Sequence, residues 1–164
     1  MIVEKHIVYR IVPFDADAKV GEPALPSKWE IMGNYKIRQE ETLEEHRPKG
    51  FPQRDNCLYV CFSKENAYEW AFIKYGKRNT PYKLLTLQIN GDLFWLKSDC
   101  FNFLNKNSTQ QEYEKASIDY WNSLVEDERL LSLDKGYEGL FVGENIIISI
   151  EYKNYINGDS YDIK

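Results

Sequence analysis

The sequence is poor in the residues that build metal and redox sites. It contains two histidines, His6 and His46, and three cysteines, Cys57, Cys61 and Cys100. Two histidines exclude a His-rich metal site and the H-E-x-x-H pattern of metalloproteases. The cysteine count is odd, and Cys57 and Cys61 lack the C-x-x-C spacing. We therefore expect buried free thiols in a reducing cytoplasm, and no metal.

Several motifs and segments are also missing. The chain has no G-x-x-x-x-G-K-[ST], G-x-G-x-x-G or G-x-S-x-G pattern, which argues against P-loop, Rossmann and serine-hydrolase chemistry. It lacks the apolar core of a signal peptide and any run long enough to span a bilayer, so we expect no membrane partner. A net charge of -5 argues against nonspecific nucleic-acid binding, which needs a basic face.

The residues that are present alternate between strand and helix patterns, and aromatics make up 15% of them. β-Branched and aromatic runs predict strands at 6–12, 57–62, 81–89 and 92–96, the last two joined by a tight turn at Asn90 and Gly91. Helical spacing predicts helices from the N-cap Ser63 to Gly76, and over 110–125. Residues 138–153 predict two further strands, joined through 143–145.

This order predicts one α+β domain over residues 1–164, with a mainly antiparallel sheet and flanking helices. Most of 14–56 is predicted to be loop, with a helical turn or two at 40–47. Long ordered loops are often functional, so this one is a candidate to close over a ligand or present a second substrate. We expect the polar tail 154–164 to be held loosely.

Three polar residues at strand edges are candidate functional residues. Arg10, inside the apolar "VYRIV", either pairs with a carboxylate at the sheet edge or offers a rigid fork to a phosphate or ribose. Ser63 caps the following helix, and a cap at that place can also order a neighbouring site. Glu138, directly before "GLFV", is either an ordinary exposed carboxylate or a catalytic one.

Taken in order, these segments resemble the ADP-ribosyltransferase fold over about residues 7–153. The similarity is carried by "VYR", "LYVCFSKENAYEWA", "YKLLTLQINGDLFWLKSD" and "YEGLFVGENIIISIEY". The resemblance implies a split antiparallel sheet that binds NAD as a substrate and transfers ADP-ribose. The acceptor, whether a protein, a nucleic-acid base, a small molecule or water, is left open.

The resemblance also implies roles for particular residues. Catalytic positions of the superfamily fall on Arg10, Ser63 and Glu138, and the NAD site would further include Tyr59 and Tyr68. Cleavage of the nicotinamide–ribose bond develops an oxocarbenium-like cation, which a carboxylate stabilises. Glu138 would supply that carboxylate, Arg10 would hold a phosphate or ribose, and an aromatic ring such as Tyr68 would pack on nicotinamide.

Two departures from the superfamily's sequence pattern bear on which acceptor would be modified. The serine site reads "FSKEN" instead of S-T-S, and Gly136 stands where arginine-modifying members carry a second glutamate, so the resemblance implies an acceptor other than arginine.

Two other functions compete with the transferase. One competing function is a catalytically inactive binding or inhibitory module on the same fold. The other is a hydrolase that pairs Glu138 with Asp119 or Asp134.

Overall fold

The structure is a computed structural model that describes residues 1–26, 33–75, 80–133, 136–156 and 159–162. The strands are β1 (Ile2–Pro13), β2 (Leu58–Val60), β3 (Pro81–Lys97), β4 (Tyr137–Ile156) and β5 (Asp159–Asp162). The α-helices are α1 (Gly33–Glu45), α2 (Lys64–Tyr75) and α3 (Gln110–Trp121), and short 3-10 helices lie at Arg54–Asn56, Ser98–Phe101 and Glu128–Leu133. Gly76, the predicted end of the second helix, lies outside the described residues.

The strands form one antiparallel sheet in the order β1-β3-β4-β2, with β5 pairing the end of β4. This confirms the predicted α+β class and the antiparallel sheet. The two edges of the sheet also meet at one point, where Tyr9 and Cys61 form a bridge with both main-chain hydrogen bonds, of 2.9 and 2.7 Å. The end of β2 therefore lies against the middle of β1.

The predicted tight turn at Asn90 and Gly91 is wrong, and so is the predicted break in the last strand pair. β3 runs through 90–91 without a turn and β4 runs through 143–145, because Gly91 lies opposite Gly143 in the ladder. Both glycines have φ near +150°. A Cβ on Gly91 would lie 2.4 Å from the Val142 carbonyl oxygen, so the Asn-Gly pair serves a close approach of two backbones and not a hairpin.

Two further predictions, the loop over 14–56 and the loosely held tail, are wrong because contacts with other elements order parts of both segments. Inside the predicted loop, a full helix, α1, begins at Gly33, well before the helical turns expected at 40–47. It is mostly polar, and it is held by α3 through the Trp121 indole, which donates to the Leu43 carbonyl. In the tail, β5 pairs with the end of β4, so Asp159–Asp162 is not loose.

The sheet has two differently covered faces. On what we call the loop-covered face, residues 14–26 and the 3-10 helix at 128–133 cover a core that includes Val8, Leu87, Trp95 and Phe141. On the helix-covered face, α2 lies over Tyr82 and Leu84 at one end. Helices α1 and α3 lie over Leu96 and Leu140 at the other end. Alternate residues of each strand point to opposite faces, which decides where each candidate side chain goes.

Candidate functional site

Arg10 lies on the loop-covered face of β1, opposite Leu85, and is 4% exposed. Its Nη1 donates to the Tyr59 carbonyl at 2.7 Å, and its Nη2 lies 3.5 Å from the Leu25 carbonyl oxygen. The guanidinium thus ties β1 to the main chain of β2 and to the covering loop. A charged, buried fork is held rigidly at the junction of the two strands.

Ser63 follows β2 at the same junction. Its Oγ accepts a hydrogen bond from the Asn66 main-chain N–H at 3.0 Å, which confirms the predicted helix cap. The side chain is partly exposed. Because Cys61 is paired with Tyr9 of β1, Ser63 lies two residues from the point where β1 and β2 meet.

Glu138 lies near the start of β4, on the helix-covered face opposite Leu96. Its Oε1 accepts from Arg54 Nη1 at 2.5 Å and from the Tyr120 hydroxyl at 2.7 Å. The side chain is 13% exposed. Glu138 is therefore a fixed, hydrogen-bonded carboxylate, not an ordinary exposed one.

Arg54 is the centre of this polar cluster, and the sequence pattern did not single it out. Its side chain is 7% exposed, and its Nε and Nη2 also donate to Glu40 of α1, at 3.0 and 3.2 Å. Burial works against the charged form, but Glu138 and Glu40 are among the groups that hold the pKa of Arg54 well above its usual value. Burial, with the Glu138 charge nearby, raises the pKa of Tyr120. The cluster is a charged arginine held between two carboxylates.

Arg10 and Glu138 do not point to the same face of the sheet. A Cβ on the neighbouring Gly139 would meet Trp95 and Val60, which belong to the core of the loop-covered face. Because side chains alternate, Glu138 points away from that core and away from Arg10. The structure thus joins Arg10 to Tyr59 and, through Arg54, Tyr59 to Glu138, but it does not bring the two charged groups into one cavity.

The two tyrosines expected at the NAD site are also on the helix-covered face. The Tyr59 hydroxyl donates to the Arg54 carbonyl at 3.1 Å, and the Arg54 guanidinium lies 5.3 Å from the centre of the Tyr59 ring. Tyr68 packs with Cys61 and Leu84, with Lys153 Nζ 5.4 Å from its ring centre. The contact of Tyr59 with Arg10 is made by its main-chain carbonyl.

The carboxylate pairs proposed for a hydrolase gain no support. Asp119 is exposed on α3, where it pairs with Lys115 at 2.7 Å, and Asp134 lies outside the described residues. The carboxylate that shares a partner with Glu138 is Glu40, through Arg54. No sequence spacing indicates this, since Arg54 is 14 residues from Glu40 and 84 from Glu138.

Two broader features concern the described residues alone. No three of their His, Cys, Asp or Glu side chains gather as a metal site requires. None of the helices among them has the length and apolar character needed for a membrane crossing. A shallow surface groove of about 460 Å³ lies beside Gly143 and Asn145, and none of the candidate residues lines it.

The fold and the site define a small α+β protein whose antiparallel sheet carries a buried arginine at one strand junction and a buried arginine–carboxylate cluster on its other face. The chain belongs to the family described as "Protein of unknown function (DUF2441)", whose model matches residues 25–153. No curated protein matches the chain significantly.

Proposed function

We propose that the protein is a cytoplasmic, ADP-ribosyltransferase-like enzyme that binds NAD, cleaves its nicotinamide–ribose bond and transfers ADP-ribose to an acceptor. The observation that carries the proposal is the junction of β1 and β2. There the buried guanidinium of Arg10 binds the Tyr59 carbonyl, and the capping Ser63 follows two residues after the bridge. Arg10 is 4% exposed and its guanidinium is held by main-chain carbonyls. In this proposal it therefore fixes the strand junction beside which a dinucleotide would bind.

Within the single sheet, the two ends of the long strands have different outer partners. The first part of β3 pairs with β1 and with the later part of β4, while 92–97 pairs with 137–142, which in turn pairs with β2. The facing glycines Gly91 and Gly143 lie between the two parts, within one continuous ladder. Each long strand is therefore shared between two groups of partners.

In this proposal Glu138 supplies the carboxylate near the reacting ribose. Its Oε1 is held by Arg54 and Tyr120, and a carboxylate held in one orientation stabilises a developing cation without reorganising. The break of the C–N bond sends its electron pair to nicotinamide, which leaves as a neutral molecule. The acceptor then bonds to the sugar carbon and releases a proton.

A second candidate is a binding or inhibitory module that recognises a nucleotide without turning it over. It is favoured by one specific observation, the placement of Arg10 and Glu138 on opposite faces of the sheet. The positive charge of Arg54 also neutralises Glu138 at the distance of an ion pair. A carboxylate used in this way has a structural role that requires no reaction.

Nicotinamide release from NAD distinguishes the two candidates. We expect the wild type to release nicotinamide and to label an acceptor in a cell lysate, and we expect Glu138→Gln to reduce the release at least about 100-fold. Arg10→Lys keeps the charge but loses the fork, and should raise KM. Arg129→Lys changes an exposed arginine and is the matched control.

NAD binding is measured in parallel by calorimetry, with circular dichroism as a check that each variant is folded. Binding without nicotinamide release would establish the module and exclude the transferase. Neither binding nor release would exclude both candidates.

A further inference from the structure

The end of β4 carries a group of charged side chains that the proposed function does not use. Lys153 Nζ donates to Asp162 Oδ1 of β5 at 2.5 Å and lies 3.5 Å from Glu151 Oε1. Glu151 Oε2 lies 3.1 Å from Nζ of Lys64, the first residue of α2. The ring of Tyr68, one turn further along α2, has its centre 5.4 Å from Lys153 Nζ. Two lysines and two carboxylates thus form a chain of ion pairs beside an aromatic ring.

The last pair of this chain joins a buried ammonium to an exposed carboxylate. The side chain of Lys153 is 9% exposed, whereas that of Asp162 is 73% exposed. Lys153 holds the pKa of Asp162 below its usual value, and Lys64 adds to this effect. A buried charge needs a partner, and here the partner is a carboxylate that faces solvent and feels both lysines. Its side chain can turn toward water without unpairing β5.

The Asp162 carboxylate balances the charge of this group. Lys64 and Lys153 carry two positive charges, which Glu151 and Asp162 neutralise. When Asp162 turns away, the group has one positive charge in excess. Lysine binds phosphate as a point charge. A phosphate group carries about −1.5 to −2 charges at neutral pH and three acceptor oxygens, so it satisfies two lysines better than one carboxylate does.

A purely structural role for the pair leads to a different expectation. Lys153 and Asp162 lie opposite each other in the ladder of β4 and β5, and a cross-strand ion pair helps to hold two strands together. If that were its whole role, removing the charge of Asp162 would loosen β5 and would create no affinity for anions.

We propose that Lys153 and Lys64 form a phosphate-binding site, in which the Asp162 carboxylate stands in for the phosphate group of a ligand. The site lies beside Tyr68, whose ring can contact the base when the phosphate belongs to a nucleotide. It is separate from the reacting carboxylate of the proposed function, because Lys153 and Glu138 pair with opposite ends of β3. This inference goes beyond the proposed function and does not depend on it.

The test compares the whole chain with Asp162→Asn and Lys153→Gln, and inorganic pyrophosphate is the probe. NMR titration follows the main-chain amide signals, and we expect those of β4 and β5 around Lys153 to move. The asparagine keeps the size of Asp162 and removes its charge. If the carboxylate fills the site in about nine-tenths of the molecules, Asp162→Asn should bind pyrophosphate about 10-fold more tightly. Lys153→Gln should weaken binding about 10- to 100-fold, by loss of a charged hydrogen bond.

Two further variants serve as controls, and circular dichroism checks that each variant is folded. Asp127→Asn removes the same charge from an exposed pair with Arg129, so it should leave the affinity for pyrophosphate unchanged. Lys64→Gln changes a side chain that is 43% exposed, so it should fold even if Lys153→Gln does not. We expect Lys64→Gln to weaken binding by up to about 5-fold.

The outcomes decide between this site and its alternatives. The site is excluded if Asp162→Asn gains no affinity, or if Asp127→Asn gains as much. Acetate binding as tightly as pyrophosphate would overturn the assignment to phosphate.

ADP, titrated in the same way, distinguishes two sources of the phosphate group. Tighter binding than pyrophosphate, with movement of the Tyr68 signals, supports a nucleotide, and equal binding supports the phosphate group alone. Nicotinamide release has no part in these measurements, so the proposed function stands or fails separately.

Discussion

At the scale of single residues, Arg54 holds together three parts of the chain that are far apart in sequence. It binds Glu40 of α1 and Glu138 of β4, and its Nη1 also donates to the Tyr120 hydroxyl of α3. Taking these charges out of water is costly, and their attraction offsets the cost only while all partners are present. The intact cluster therefore adds little net stability, but removing Arg54 would leave two carboxylates without a counter-charge, which is costly.

Replacing Arg54 with methionine should destabilise the protein by about 3–5 kcal/mol, because two carboxylates would remain without their counter-charge. Glu138→Gln should cost less, about 1–3 kcal/mol, since Arg54 keeps Glu40 and the amide oxygen can still accept a hydrogen bond. Urea unfolding at neutral pH measures both values.

The matched control for Arg54→Met is Arg129→Met, because the Arg129 side chain is 89% exposed in its pair with Asp127. Exposed pairs contribute about 0–1 kcal/mol. Equal losses in the two methionine variants would show that Arg54 is not the centre of a buried cluster.

What the sequence predicts about single residues depends on the range of their contacts. The Ser63 cap was predictable, since its partner, Asn66, is three residues away and capping residues have a known preference. Arg54 was not predictable, because its partners are 14, 66 and 84 residues distant. Glu138 was found from its place before a strand, but no local pattern gives the face to which it points.

At the scale of elements, the two long strands depend on one pair of facing glycines. Asn-Gly is typical of a hairpin turn, yet here Gly91 and Gly143 let β3 and β4 approach each other and continue. The alternating pattern correctly predicted strand on both sides of each glycine. It did not predict that β3 continues past Gly91, because the facing residue, Gly143 of β4, is 52 residues away in the chain (143 − 91).

We expect Gly91→Ala and Gly143→Ala each to destabilise the protein by more than about 1 kcal/mol. At both positions a Cβ would lie 2.4 Å from a carbonyl oxygen of the facing strand, and φ is near +150°, a region that favours glycine. Thermal unfolding measures the loss, and Asp92→Ala, at an exposed neighbouring position, is the control. If either glycine variant kept the wild-type midpoint, the facing glycines would not be needed for continuous strands.

At the scale of the whole molecule, the helix-covered face of the sheet buries four groups that ionise only at high pH, namely Cys57, Cys61, Tyr59 and Tyr120. Burial raises the pKa of Cys57 and of Cys61 to about 12. It also raises the pKa values of Tyr59 and Tyr120. These groups lie where helices and strands pack together, so the folded protein contains them in the neutral form and the unfolded chain ionises them more easily.

These raised pKa values make the free energy of unfolding fall at high pH. A thiol whose folded pKa lies above its unfolded value of about 8.5 stabilises the fold fully below that value, and the stabilisation is lost as the pH rises toward 12. Each such thiol should lower the free energy of unfolding by about 1.4 kcal/mol per pH unit in that range.

Urea unfolding at pH 7, 8.5, 9.5 and 10 measures the slope. In the double variant Cys57→Ala, Cys61→Ala the slope between pH 8.5 and 10 should fall sharply, because the tyrosines ionise in the unfolded chain only near pH 10. The slope that remains is due to Cys100, whose pKa burial also raises. A slope that stayed as steep without the two thiols would show that their burial does not govern stability at high pH.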